Sequence, residues 1–222
     1  YDQLLKVFPY VIAVLGEGEV TLSELLSALK NKTDIKEIKG LAYIENESVI
    51  VTESRPLIDD LDSLPFPKHE LFFKDNNRTL GGIMTSRGCP FSCTFCCLHA
   101  ISHKKTRFRS VENVIAEIEH MIISFPKLNT IWIHDDTLFL NNKRAIALCD
   151  EIIKRGINKK LEFICSGRFK PFTKELVDAL EKANFVQILF GLESGSDTIL
   201  KSMKKGITKQ DAIDTMKLLK GS

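Results

Sequence analysis

Apolar residues along this chain fall alternately into short unbroken runs and into stripes at helical spacing, and the alternation becomes regular near residue 80. Upstream of that point, "FPYVIAVL" at residues 8–15 has the length and content of a strand. "GEGEVTLSELLSALK" follows, with Thr21 in N-cap position, Glu24 as its capping-box partner, and Leu22, Leu25, Leu26 and Leu29 on one helical face. "GLAYIENESVIVTES" alternates about Glu45-Asn46-Glu47-Ser48 as a small hairpin should. Residues 55–80 carry Pro56, Pro65 and Pro67 with the acidic stretch Asp59-Asp60-Leu61-Asp62, which predicts a linker with a solvated face.

From Leu80 the order is strand, helix, strand, helix. "GGIMTS" is the first short strand, and Ser110 then caps a helix whose Val111, Val114, Ile115, Ile118 and Ile122 share a face. "NTIWIH" is the second strand; Ala145, Leu148, Cys149 and Ile152 line the next helix, which Gly156 ends. "LEFICS" is the third, followed by a helix with Leu176, Val177 and Leu180. "FVQILF" is the fourth, followed by helices around Ile199 and Met216. Strands that read as continuous apolar runs belong to a parallel sheet covered on both faces, so the predicted class is α/β. A closed eight-unit barrel needs ~250 residues by itself. The expectation from the pattern is therefore an α/β parallel sheet truncated after about four strands, cut from a longer enzyme; its partial, TIM-barrel-like (β/α) character comes only with the resemblance described below.

Composition narrows the function less than the pattern does. The 222 residues are 44% hydrophobic and 27% charged, with 31 basic and 29 acidic side chains giving a formal net charge of +2. Basic residues are scattered except for short runs such as His103-Lys104-Lys105, so composition makes no case for nucleic acid or a membrane surface as partner. No apolar stretch approaches the ~20 residues of a membrane span, and Tyr1-Asp2-Gln3 does not open a signal peptide. These readings predict a cytoplasmic protein.

The cysteines change the picture. Four of the six lie in "RGCPFSCTFCC", residues 87–97, directly after the first regular strand. A disulfide framework belongs to small secreted domains with dispersed thiols; thiols crowded into one loop of a reduced protein point to metal. Cys89, Cys93 and Cys96 are spaced to wrap a compact body. Iron–sulfur clusters normally take four thiolates, and three would leave one iron free to bind something else. Zinc with His99 or His103 as a fourth ligand and a ferredoxin-like electron carrier are the competing metal readings. Cys97, Cys149 and Cys165 read as packing thiols.

"CPFSCTFC" resembles the CxxxCxxC signature of radical S-adenosylmethionine (radical SAM) enzymes, including the aromatic Phe95 before the third cysteine. The resemblance implies a partial (β/α)6 barrel, a [4Fe-4S] cluster on Cys89, Cys93 and Cys96, and S-adenosyl-L-methionine chelated by the open iron and cleaved to a 5′-deoxyadenosyl radical. It extends over residues 80 to about 217. Phe95 would support the adenine; in "HDDTLFL", Asp135 or Asp136 would meet the methionine amino group; Arg168 in "CSGRF" would contact S-adenosylmethionine or substrate; and Glu193 and Ser194 in "FGLESGSDTILKSMKKG" would lie near the ribose and carboxylate. The glycine-rich segment that follows a fifth strand in the family is missing from this sequence. The partners so implied are a small-molecule or peptide substrate and a reductant such as flavodoxin or ferredoxin.

Upstream, "VLGEGEVTLSELLSAL", "GLAY" and "PLIDDLDSLPFP" resemble the junction at which a Rossmann-like cobalamin (B12)-binding domain meets such a barrel. The implied organisation is a remnant of that domain at 1–40, a hairpin and proline-rich linker at 41–79, and the N-terminal part of the barrel at 80–222. Cobalamin becomes a further candidate cofactor of the full-length protein, although no DxHxxG motif occurs here. Three plainer readings stand beside these. His134 serves equally well as a hydrogen-bonded residue at a strand end, Asp135 and Asp136 as turn caps, and Glu193 as a favourable charge before a helix. Gly16-Glu17-Gly18-Glu19 lacks the third glycine of a dinucleotide loop, and its glutamates would repel a pyrophosphate. The rival functional classes are a non-catalytic iron–sulfur or cobalamin-binding module and a structural zinc protein.

Overall fold

The computed structural model describes residues 1–72 and 78–220, so residues 73–77 of the expected linker and Gly221-Ser222 lie outside the described residues. The chain divides into two units, Tyr1–Asp59 and Asp60–Ser222.

The first unit contains helix α1 (Asp2–Val7), strand β1 (Ala13–Val14), helix α2 (Gly18–Asn31), and strands β2 (Leu41–Glu45) and β3 (Ser48–Val51), paired antiparallel in the order β1-β2-β3. The expected hairpin forms, with Asn46 and Glu47 both at positive φ, 48° and 63°. A two-residue turn of that handedness matches the twist of the flanking strands. The expected strand at 8–15 contracts to two residues, and α1 has no counterpart in the sequence reading. α2 begins at Gly18 with Glu17 as N-cap, so Thr21 is not the cap. Thr21 is buried; its Oγ1 donates to the Lys39 carbonyl at 3.0 Å and accepts from Arg55 Nε at 2.7 Å. Glu24 accordingly pairs with Arg55. The helix buries Thr21, Leu25 and Ala28, while Leu22, Leu26 and Leu29 of the expected inner face are exposed.

The second unit opens with a 3-10 turn at Leu61–Ser63 and helix α3 (His69–Phe72). Strands β4 (Leu80–Ile83) and β5 (Ser86–Arg87), helix α4 (Leu98–Ser102) and strand β6 (Arg107–Phe108) follow. Helix α5 (Val111–Ser124), strand β7 (Thr130–Ile133), helix α6 (Asn142–Lys154), strand β8 (Glu162–Gly167), helix α7 (Lys174–Lys182), strand β9 (Phe185–Phe190), and helices α8 (Asp197–Ser202) and α9 (Lys209–Lys220) complete it. β4, β7, β8 and β9 form a parallel sheet in chain order. The four βα repeats expected from the apolar runs are the four observed.

One face of this sheet carries the main core. Ile83, Ile131, Ile133, Phe163 and Cys165 meet Val114, Ile115, Ile118 and Met121 of α5, Ala145, Leu148, Cys149 and Ile152 of α6, and Leu176 and Leu180 of α7. Strand side chains alternate between faces. Gly82, Trp132 and Ile164 therefore fall on the other face, where Trp132 stacks on the exposed His134 at 4.9 Å between ring centroids. A Cβ at Gly82 would come within 2.8 Å of His134 Nε2, so a side chain there would displace that ring.

The acidic segment expected to face solvent is partly engaged. Asp62 accepts twice from the Ser110 amide, at 3.0 and 3.1 Å, just where Ser110 Oγ caps α5. His69 Nε2 lies 2.9 Å from Glu117, which is 1% exposed and also pairs with Arg109. Burial pushes the Glu117 carboxyl up, but these hydrogen bonds and the nearby charges outweigh it and hold the pKa below its usual value.

Candidate functional site

The cysteine loop is an excursion closed at its neck. Ser86 pairs with Phe108 and Arg87 with Arg107, so β5 and β6 tie off residues 88–106 beyond the carboxyl end of β4. In open α/β sheets, that is the end where ligands bind. Gly88 starts the loop at φ 92°, and a Cβ there would stand 2.1 Å from the Lys105 carbonyl oxygen, so a side chain is excluded on two grounds. Cys93 is buried at 7% exposure, and Cys89 and Cys96 are half-buried. The Cys96 amide donates to the Cys93 carbonyl at 3.1 Å. Burial raises the Cys89 pKa, opposed by the Phe91 amide and the Arg168 charge. Cys97 precedes α4 and is exposed, which corrects the expectation that it packs. Cys149 and Cys165 are core thiols, as expected, and burial pushes Cys149 up to about 12.

Asp135 and Asp136 follow β7 and separate sharply. Asp135 is 2% exposed; Oδ1 accepts from the Thr85 amide at 2.5 Å, and Oδ2 accepts from Thr85 Oγ1 and Ser86 Oγ at 2.6 Å each. Its oxygens are committed to tying the β4–β5 corner to the end of β7. Asp136 is solvent-accessible and takes the Gly88 amide at 3.0 Å, which sets it against the first residue of the cysteine loop. Desolvation raises its pKa, the Gly88 hydrogen bond opposes, and the Asp135 charge adds to the rise.

Arg168, from the end of β8, reaches the same loop. Its Nη1 lies 3.8 Å from Cys93 Sγ, its guanidinium carbon 3.7 Å from the Phe91 ring centroid, and Nη2 donates to the Lys205 carbonyl. Nε is buried with no hydrogen-bond partner among the described residues. Glu193 follows β9 in the left-handed region at φ 69°, and Lys205 Nζ donates to it at 2.9 Å. A Cβ at Gly191 would fall 2.6 Å from Glu193 Oε1, so a side chain there would shift that carboxylate. Lys205 is 7% exposed and its ammonium lies 5.4 Å from the centroid of Phe95, itself 52% exposed. Ser194 Oγ accepts from the Ser196 amide at 3.1 Å and so shapes the turn before α8. The Thr94 amide donates to the Met203 carbonyl at 3.0 Å, fastening the cysteine loop to the α8–α9 connection.

Three thiols, two cations and one accessible carboxylate thus converge on one loop. Phe91 and Lys205 have no place in the sequence reading. Lys205 lies within the quoted segment after β9, and the signal that could have marked it is the pairing of an adjacent "KK" with the glutamate of "ESG". Among the described residues no three His, Cys, Asp or Glu side chains gather at single-ion distance. His99 and His103 are both exposed. One buried and two half-buried free thiols, with Arg168 beside Cys93 to offset thiolate charge, are by their chemistry a donor set suited to an iron–sulfur cluster.

The profile of the Radical SAM superfamily matches residues 83–222. The chain is 37% identical, over 97% of its length, to a Pyrococcus horikoshii protein described as an uncharacterized methyltransferase, of which it covers 48%. It is 27% identical, over 99% of its length, to the anaerobic magnesium-protoporphyrin IX monomethyl ester cyclase of Cereibacter sphaeroides, covering 37% of that protein. Among solved structures, the cobalamin-dependent S-adenosylmethionine radical enzyme OxsB, with aqua-cobalamin and S-adenosylmethionine bound, superposes with a TM-score of 0.81 at 25% identity over 98% of this chain and 33% of that one. The chain spans about half or less of the length of each of these proteins.

Proposed function

The chain belongs to the radical SAM superfamily, and from that premise we propose that it carries the front end of an enzyme that cleaves S-adenosyl-L-methionine reductively on a [4Fe-4S] cluster to modify a small-molecule substrate. The observation that carries the proposal is the convergence of Asp136 and Arg168 on the loop of Cys89, Cys93 and Cys96. When bound, the cluster and S-adenosylmethionine supply the one-electron cleavage of the sulfonium bond.

The protein's own residues bind, orient and balance charge. Cys89, Cys93 and Cys96 hold three corners, and Arg168 offsets thiolate charge beside Cys93. Of the two candidate aspartates, Asp136 keeps an oxygen free of internal partners and accepts from the methionine ammonium, whereas Asp135 is buried with both oxygens engaged within the fold. Phe95 lends its exposed ring to the adenine. Glu193, oriented by Lys205, accepts from ribose hydroxyls, and Ser194 sets the turn that presents it.

Cobalamin is proposed for the whole protein, on the strength of the relatives named above. None of the five histidines lies in residues 1–59, so the first unit offers no imidazole to cobalt and no step is assigned to it. Among the described residues no helix is long and apolar enough to cross a membrane, and we place the enzyme in the cytoplasm with a protein reductant.

The test is anaerobic reconstitution with iron and sulfide, followed by a chemical reductant and S-adenosylmethionine. 5′-Deoxyadenosine should form with wild type, and Cys93→Ala should lose both the brown chromophore and the product. A reconstituted protein that is brown but makes no 5′-deoxyadenosine is a carrier, and a colourless zinc-loaded one is a structural zinc protein; either result overturns the proposal.

A further inference from the structure

Acidic residues are absent from two stretches of a chain that otherwise averages one in every seven or eight positions. No Asp or Glu occurs between Asp75 and Glu112, where Arg78, Arg87, Lys104, Lys105, Arg107 and Arg109 lie. None occurs between Asp197 and Asp211, where Lys201, Lys204, Lys205 and Lys209 lie. The fold brings these stretches together at the cysteine loop. The first contains the loop, and the second is fastened to it by the Thr94 amide on the Met203 carbonyl and by Arg168 on the Lys205 carbonyl. Lys105 presents its carbonyl against Gly88 at the loop's start. Lys104, Lys201 and Lys204 are exposed, and none has an ion-pair partner among the described residues. α4 adds exposed His99, His103 and Ile101.

Isolated surface lysines are ordinary. What is unusual is that one acid-free segment contains the functional loop and a second is fastened to it, in a chain of nearly balanced charge. A predominantly basic patch raises the local concentration of an acidic partner and speeds encounter without requiring a large interface. Redox encounters are the class that uses small interfaces of this kind. We infer that the lysine rim formed by Lys104, Lys201 and Lys204 is the docking surface for a small, strongly acidic one-electron carrier of ferredoxin type, a reading that rests on the proposed cluster chemistry. The step transfers one electron and no atom: the carrier is oxidised by one unit and the cluster held by Cys89, Cys93 and Cys96 is reduced by one.

The experiment uses a triple charge reversal, K104E/K201E/K204E, at positions outside the cofactor-binding set. With reduced ferredoxin as the electron source at low ionic strength, 5′-deoxyadenosine formation should slow by about tenfold or more, while the rate with dithionite should match wild type. Salt should slow the ferredoxin-driven wild type and should not slow the variant, whose reversed charges repel the carrier until they are screened. Independently of turnover, carbodiimide cross-linking of unreconstituted protein to ferredoxin should map to Lys104, Lys201 or Lys204. Cross-links elsewhere, or an unchanged ferredoxin-driven rate in the variant, overturn the assignment. So does retention of transfer RNA by wild type and not by the variant with no ferredoxin cross-link, which would make the rim an RNA surface. Failure of wild type with dithionite would instead sink the cluster chemistry, and the cross-link map would still decide the docking surface.

Discussion

Replacing Asp135 by alanine removes the acceptor for three buried donors at once. The Thr85 amide, Thr85 Oγ1 and Ser86 Oγ all point at its carboxylate, at 2.5 to 2.6 Å, and the side chain is 2% exposed. Hydrogen bonds to a charged group contribute about 1.5–3 kcal/mol each, and a buried donor left without a partner costs its full desolvation. The three share one carboxylate and are not additive, so a loss of about 4 kcal/mol is expected for Asp135→Ala. Asp135→Asn keeps one carbonyl for the Thr85 amide and turns an NH2 toward two hydroxyls. Thr85 Oγ1 already accepts from Arg144 at 3.2 Å, so it adapts poorly, and about 2 kcal/mol is expected. Denaturant unfolding, monitored at Trp132 next to the site, reads these values. Asp136→Asn is the contrast: its carboxylate is accessible and bonds one amide, so stability should fall by less than about 1 kcal/mol, while S-adenosylmethionine affinity in the reconstituted protein drops. If Asp135→Ala proves as stable as wild type and loses S-adenosylmethionine binding, the division of labour between the two aspartates is wrong.

Two further outcomes follow from burial. In native protein free of metal, maleimide at neutral pH should label Cys97 and spare Cys149 and Cys165, whose thiols burial keeps protonated; mass spectrometry identifies the modified peptides, and labelling of Cys149 before unfolding would contradict the core assignment. Glu117 has a folded-state pKa below its unfolded value of 4.5, so its contribution to stability is present above that pH and is lost as pH falls through the folded value. Urea midpoints should therefore decline more steeply below about pH 4.5 in wild type than in Glu117→Gln, which should be less stable at neutral pH; parallel pH profiles would refute the His69–Glu117–Arg109 linkage.

How far the sequence could be read depended on the length over which a physical signal repeats. The four strands of the main sheet and the inner faces of α5, α6 and α7 come from apolar periodicity sustained over many residues, and Ala145, Leu148, Cys149 and Ile152 are buried as expected. The hairpin about Asn46-Glu47 was legible because apolar and polar residues alternate on both sides of it. β5 and β6 escaped because two-residue strands have no period. α2 was given the wrong face because Leu22, Leu26 and Leu29 form an apolar stripe beside the buried Thr21, Leu25 and Ala28, and pattern alone does not say which of two neighbouring stripes is inward.

The site divides along the same line. Cysteine spacing is a local property, and it brought out Cys89, Cys93 and Cys96 without any knowledge of the fold. The choice between adjacent aspartates is not local, because it depends on what the β4–β5 corner presents to the end of β7, fifty residues away in the chain. Thr85 and Ser86 take both oxygens of Asp135, and only then does Asp136 become the carboxylate facing the loop. Lys205 is the clearest instance. A lysine ammonium can be buried only if an anion or an aromatic face receives it, and Glu193 and Phe95, twelve residues before it and across the loop, supply both. Substituting Glu193 should therefore disturb Phe95 as well as the ribose contact proposed for it, since it strips the partner from a buried charge seated on that ring.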